Sequence, residues 1–282
     1  MIGFARQWEA KMVYQYVILR KEKGIATITL NRPQRLNALS LPVLEELARS
    51  IEEVSTDREV RVLILTGAGR AFCAGGDFRD GEGSPASIVG RQELGKIAEA
   101  AHSRPWRTRG TSWALQNMDV PTIAMVNGPA VGAGFCIALA CDLRIGSEDA
   151  RFQVAWTRRG LTPAYGTSWF LPRLVGVSKA LELIYTARMI GAEEALQLGL
   201  LNKLVSTHTL EKETMELART VANGPPLALR LSKMNVYRGL NLDLGTSLEL
   251  SAASENQLIL SEDVAESARA FREKREPVFK GR

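Results

Sequence analysis

The sequence predicts an α/β protein: a body of alternating strands and helices to about residue 200, then a helical segment from 201 to 282. Three observations carry this. Short β-branched or apolar runs alternate with amphipathic stretches through the first part of the chain. Two of those runs open directly into glycine-rich segments. Beyond about residue 176 the strand signals nearly vanish and helical spacing takes over.

In chain order, YQYVILR (14–20) and GIATITLN (24–31) alternate apolar and polar residues around a Lys-Glu-Lys-Gly turn, so a hairpin of half-buried strands is expected. Ser40 then precedes LPVLEELARSIEEV, with Pro42 in the first turn and Leu44, Leu47, Ile51 and Val54 on one face, the pattern of a capped amphipathic helix. RVLILTG (61–67), PTIAMVNG (121–128) and CDLRIGS (141–147) read as buried strands. A helix is expected from about Ile88 to Ala101, after a flexible entry at Gly81, Gly83, Ser84 and Pro85. Later, Leu181, Ile184 and Tyr185 share a helix face, and Ala192–Leu198 forms a short helix closed by Gly199. Segments 208–222, 226–239, 246–260 and 261–274 also read as helices.

Composition narrows the function. Hydrophobic residues make up 45% and charged residues 24% of the 282, ordinary for a globular protein, and no apolar stretch reaches the 18 residues of a membrane span. The N-terminus lacks an apolar run with a cleavage site, so the expected location is the cytoplasm. The net charge of +5 fits either a mildly basic surface or a ligand carrying several phosphates. Lysines and arginines are scattered, which argues against nucleic acid. Cys73, Cys136 and Cys141 have no paired spacing, which fits a reducing compartment. His102 and His208 are too far apart in sequence to suggest a metal site, and none is expected.

The chemistry concentrates in two glycine-rich segments, LTGAGRAFCAGGDF (65–78) and VNGPAVGAGFCIALACDL (126–143). Neither is a phosphate-binding loop or a serine-hydrolase elbow. Both let backbone approach a ligand closely, and GAGFCIALA has the look of a helix start with free N–H groups. One N–H from each segment converging on a carbonyl oxygen would make an oxyanion hole; the alternative is that these glycines only serve turns and packing.

These two segments, together with NRPQRLNALS (31–40) and the stretch 166–205 beginning GTSWFLPRLVG, resemble the crotonase, or enoyl-CoA hydratase/isomerase, superfamily over roughly residues 14–275. The resemblance implies a crotonase-like spiral of ββα units with a C-terminal helical segment, assembled as trimers or dimers of trimers. It implies an acyl-CoA thioester as substrate and no other cofactor, coenzyme A being carried by the substrate. The thioester oxygen would be held by the N–H groups of Gly76 and Ala133. Coenzyme A contacts would fall near Arg35, Leu36, Ala38, Ala74 and Asp77, where Asp77 could equally be a helix cap or a buried structural partner.

The family's acid/base positions depart from the pattern. The two glutamates that hold water in hydratases fall at Cys136 and Trp156, and the carboxylate used by several isomerases and hydrolases falls at Ala164. Trp156 offers only an N–H donor, or a face on which an aromatic or cyclic acyl group would stack. Candidates for moving protons are Tyr165, Cys136 and His102, each with a bland alternative as a packed aromatic, a buried thiol and an exposed loop residue; Glu93 and Arg109 fall in the same variable region as His102. Three outcomes stay open: hydration/dehydration or isomerisation of an enoyl-CoA, decarboxylation or carbon–carbon cleavage of a CoA thioester, and non-catalytic acyl-CoA binding.

Overall fold

A computed structural model describes residues 14–77 and 105–282, the side chains of 105–109 excepted. Strands β1 (Val17–Glu22) and β2 (Ile25–Leu30) form the expected antiparallel hairpin. Helix α1 spans Leu41–Thr56 and buries Val43, Leu47, Ile51 and Val54. Ser40 occupies its N-cap but makes no side-chain cap bond; its hydroxyl instead accepts from the Arg32 guanidinium at 3.4 Å. Strand β3 (Val62–Gly67) is buried along its whole length.

Then follow α2 (Pro105–Gln116, broken at Gly110), β4 (Thr122–Val126), β5 (Pro129–Val131), α3 (Ala133–Ala140), β6 (Leu143–Ser147) and β7 (Arg151–Gln153). The chain continues through α4 (Thr167–Val175), α5 (Val177–Thr186), α6 (Ala192–Gln197) and β8 (Lys203–Val205). It ends in α7 (Leu210–Ala222), α8 (Pro226–Gly239), α9 (Leu244–Leu258) and α10 (Glu262–Glu273).

The main sheet has the order β1-β2-β3-β4-β6-β8 and is parallel beyond the hairpin. A second, shorter layer stacks successive turns of chain. Bridges join Leu39 to Gly76, Cys73 to Ala130 and Phe152 to Ile190, and β5 pairs with β7. Each turn therefore lays one extended segment in each layer, which is the spiral. Along β3, Leu63 and Leu65 enter the main core, while Val62 and Ile64 pack with Ala218 and Ala222 of α7 on the other face. That two-sided burial is why RVLILTG reads as continuously apolar. The sheet extends past residue 200 through β8, a three-residue strand too short to leave a periodic signal.

Two expectations need correcting or setting aside. On α5 the face expected to pack is not the buried one: Ala180 and Leu183 are buried and Ile184 packs partly against the core, while Leu181 and Tyr185 are exposed, Tyr185 at 73%. The expected helix from Ile88 to Ala101 lies outside the described residues, as do Glu93 and His102.

Candidate active site

The second layer brings the two glycine-rich segments together. The Cys73 N–H donates to the Pro129 carbonyl at 3.0 Å, and the Val131 N–H donates back to the Cys73 carbonyl at 2.9 Å. Gly75, at φ 87°, then breaks the alternation of the extended chain. Its carbonyl accepts the Leu39 N–H at 2.7 Å, and the Asp77 N–H donates to the Leu39 carbonyl at 3.0 Å. The intervening Gly76 N–H is turned to the edge opposite Leu39.

On that side Gly132, at φ 54°, turns the chain into α3, all eight residues of which are buried. The Cys136 N–H closes the first helical bond, to the Gly132 carbonyl at 3.1 Å. Ala133, the first residue of the helix, has no carbonyl one turn behind to satisfy its N–H, which sits at the positive end of the helix dipole. The approach is tight: a Cβ placed on Gly75 would lie 2.7 Å from the Val131 carbonyl oxygen and 3.5 Å from the Ala133 amide nitrogen. One on Gly134 would lie 2.3 Å from the Cys73 carbonyl oxygen. Only glycine fits at either position.

Polar side chains brace this junction. Asn37, almost fully buried, donates to the carbonyls of Ala68 and Ala71 at 2.9 and 2.8 Å and accepts the Arg32 N–H at 2.9 Å. Asn127 donates to the carbonyls of Gly67 and Gly69, both at 2.8 Å. Asp77 is buried and ion-paired at 3.1 Å with Arg32, whose guanidinium also donates to the Ala38 carbonyl and lies over the Tyr16 ring. Of the two roles open to Asp77, a buried structural partner is the one the geometry displays. Arg35, Leu36, Ala38 and Ala74 line up along the same edge, the Ala74 N–H donating to the Leu36 carbonyl at 2.9 Å. Arg35, Leu36 and Ala74 are half-buried, and Ala38 is buried.

Cys136 is fully buried, and its thiol donates to the Tyr165 carbonyl at 2.7 Å, with the Ser112 hydroxyl 3.6 Å away. Burial pushes this thiol up to about 11, so it stays protonated near neutrality. Tyr165 stands in the left-handed region at φ 58° and is partly exposed. Its phenol is pushed up by burial first and then by the Cys73 and Cys136 thiols. Trp156 is half-buried against the core where the chain leaves β7, and Ala164 is exposed. Arg32, Asn37, Ser112 and Thr167 were not singled out from sequence. The first two lie inside the 31–40 motif, where buried polar residues just after a strand are a usable signal; the other two offered none. An open cavity of about 600 Å³ at the carboxyl ends of β3, β4, β6 and β8 is lined by Arg70, Asn127, Asp149, Arg151 and Thr207; it shares the bracing Asn127 with the junction but none of the residues that the sequence put forward for the site.

The spiral defines a class of fold, and comparison with known proteins gives it a family. The family model for enoyl-CoA hydratase/isomerase matches residues 20–282, and the chain belongs to that family. It is 38% identical over 260 residues to a short-chain-enoyl-CoA hydratase of Clostridium acetobutylicum, covering 92% of this chain and 95% of the relative. It is 34% identical over 268 residues to a 1,2-epoxyphenylacetyl-CoA isomerase of Escherichia coli, covering 95% and 99%. Among solved structures, an enoyl-CoA hydratase from Bacillus anthracis superposes with a TM-score of 0.86 at 36% identity, covering 95% of this chain and all of that one. Among the described residues, no helix is long and apolar enough to cross a membrane.

Proposed function

We propose that the chain is an enzyme that binds an acyl-CoA thioester, stabilises its enolate between the N–H groups of Gly76 and Ala133, and hydrates, dehydrates or isomerises an enoyl-CoA without the paired glutamates. The observation that carries this is the convergence of the Gly75–Gly76 backbone on the first turn of α3. A pre-positioned amide of this kind stabilises developing oxyanion charge by about 3 kcal/mol. The edge formed by Arg35, Leu36, Ala38, Ala74 and Asp77 is the path for coenzyme A, and Trp156 flanks the acyl group. Relatives named for hydration and for isomerisation of CoA thioesters support the substrate class without choosing between the reactions.

Tyr165 is the proton donor to Cα, since a phenol whose pKa is raised gives up a proton only to a strong base such as an enolate. His102 is kept as a further acid/base candidate. One observation favours a second reading: the positions that carry carboxylates in the family hold Cys136, Trp156 and Ala164 here. Decarboxylation of a malonyl-type thioester needs only the oxyanion hole and a donor. Carbon dioxide leaves, its bonding pair forms the enolate, and Tyr165 protonates Cα. Assembly as a trimer or dimer of trimers is part of the proposal; Leu244, Leu260 and Phe271, at 76, 90 and 87% exposure, are the apolar surface that such contacts would cover.

The test is incubation with aliphatic, cyclic and aromatic enoyl-CoA and malonyl-type thioesters, followed by mass spectrometry. Water addition, an isomer or loss of carbon dioxide names the reaction. Binding without any product overturns the enzyme reading in favour of an acyl-CoA binding protein.

A further inference from the structure

We infer that the open cavity at the carboxyl ends of the parallel strands is a second ligand site, in which Arg70 and Arg151 take the phosphate of a small phosphate monoester. It is distinct from the Gly76–Ala133 junction and stands independently of the thioester reading.

Parallel strands deliver their following loops to one rim of the sheet, and α/β folds hold ligands there. Four strands do so here. Arg70 follows β3, Asn127 follows β4, Asp149 follows β6 and Thr207 follows β8, and all four line the one cavity of about 600 Å³. That volume suits a small organic molecule rather than a bare ion. Arg151, the first residue of β7, lines it as well. Its Nη1 donates to the Glu148 and Ala150 carbonyls at 2.7 and 2.8 Å, which holds the guanidinium in place and leaves its remaining N–H groups for a ligand. Arg70 is exposed. Neither arginine pairs with a carboxylate among the described residues, although Asp149 lines the same cavity. One Asp149 oxygen is taken by the Thr207 hydroxyl at 2.6 Å. Two guanidiniums against one carboxylate leave the lining net positive, and paired N–H donors match the oxygens of a phosphate. The other Asp149 oxygen takes no donor from the described residues and is placed to accept from a hydroxyl of the ester. No motif in the sequence marks this site, because its residues come from separate loops.

The test is calorimetric titration of the full chain with inorganic phosphate and with glycerol 3-phosphate, at fixed ionic strength. The variants are Arg70→Gln, Arg151→Gln and, as a charge control, Arg20→Gln, an exposed arginine on β1. Saturable binding is expected, weakened about 10-fold or more in Arg70→Gln and in Arg151→Gln and unchanged in Arg20→Gln. Arg151→Gln also removes the bonds to Glu148 and Ala150, so Arg70→Gln, which breaks no bond to a described residue, is the variant that decides. Glycerol 3-phosphate should bind more tightly than inorganic phosphate, through its hydroxyls at Asp149. Absence of saturable binding overturns the site, and so does an equal loss in Arg70→Gln and Arg20→Gln, which would be diffuse charge alone. Weaker binding of the ester than of the bare ion overturns the assignment of an ester. A crystal soaked in phosphate should show the ion on Arg70 and Arg151; an ion found only along the Arg35 edge refutes the inference.

Discussion

Gly134→Ala tests the close approach on which the candidate site depends. The new Cβ would lie 2.3 Å from the Cys73 carbonyl oxygen and 2.6 Å from the Cys73 Cβ, against 3.4 Å for ordinary contact. Both neighbours are parts of a bridged strand, since Cys73 is held to Pro129 and Val131, so neither can swing away. The helix and the strand must part by about 1 Å. Overpacking of that kind costs about 1–3 kcal/mol of stability, and a displacement of about 1 Å between two groups that must act together costs about 100-fold in rate. The expected result is a lowered melting temperature together with a loss of kcat/KM far larger than the stability change implies. Gly191→Ala is the control, because its φ is −77° and its Cβ meets nothing within 4 Å. Wild-type turnover and melting in Gly134→Ala would refute the claim that this contact sets the site.

Three further outcomes are expected. Asn37→Ala removes the donor to the Ala68 and Ala71 carbonyls, of which only Ala71 keeps a second donor in Asn127, and the acceptor of the buried Arg32 N–H; at about 1–3 kcal/mol for a buried group left unpaired it should lower the denaturation midpoint, and a shift under about 1 kcal/mol would count against the brace. The Tyr165 phenol acts in its protonated form and its pKa is raised above 10, so kcat should hold through neutrality and fall only above pH 10, with that alkaline limb absent in Tyr165→Phe. Glu266 is held at about 2 by Arg275, with the Val278 N–H also donating to it at 3.0 Å. Its depressed pKa makes its contribution complete above about 4.5 and progressively lost as the pH falls toward 2, so thermal melts over that range should lose a pH-dependent component in Glu266→Gln; identical profiles would dismiss the contact.

Much of this was legible in the chain. Period-two strands and the amphipathic face of α1 pointed to an α/β body, and the resemblance carried by the glycine-rich segments named the fold and put forward Gly76 and Ala133. Helix boundaries fell within two residues for α7 to α10. Short extended segments such as β5, β7 and β8 were not legible, because three residues cannot display a period. Nor was the left-handed Tyr165, since nothing in a sequence marks a bulky residue for positive φ. Cys136 reads as a small hydrophobe wherever it falls; only the fold brings it within 2.7 Å of a carbonyl 29 residues away. Arg32 and Asp77 are 45 residues apart and meet only once the spiral closes.

The most direct test of the enolate account is to run the thioester reaction in deuterium oxide and locate the label in the product by mass spectrometry. The account predicts solvent deuterium at Cα of the product, delivered through an exchangeable phenol, and a large loss of that labelled product in Gly134→Ala. A product formed at full rate with no deuterium at Cα would contradict it.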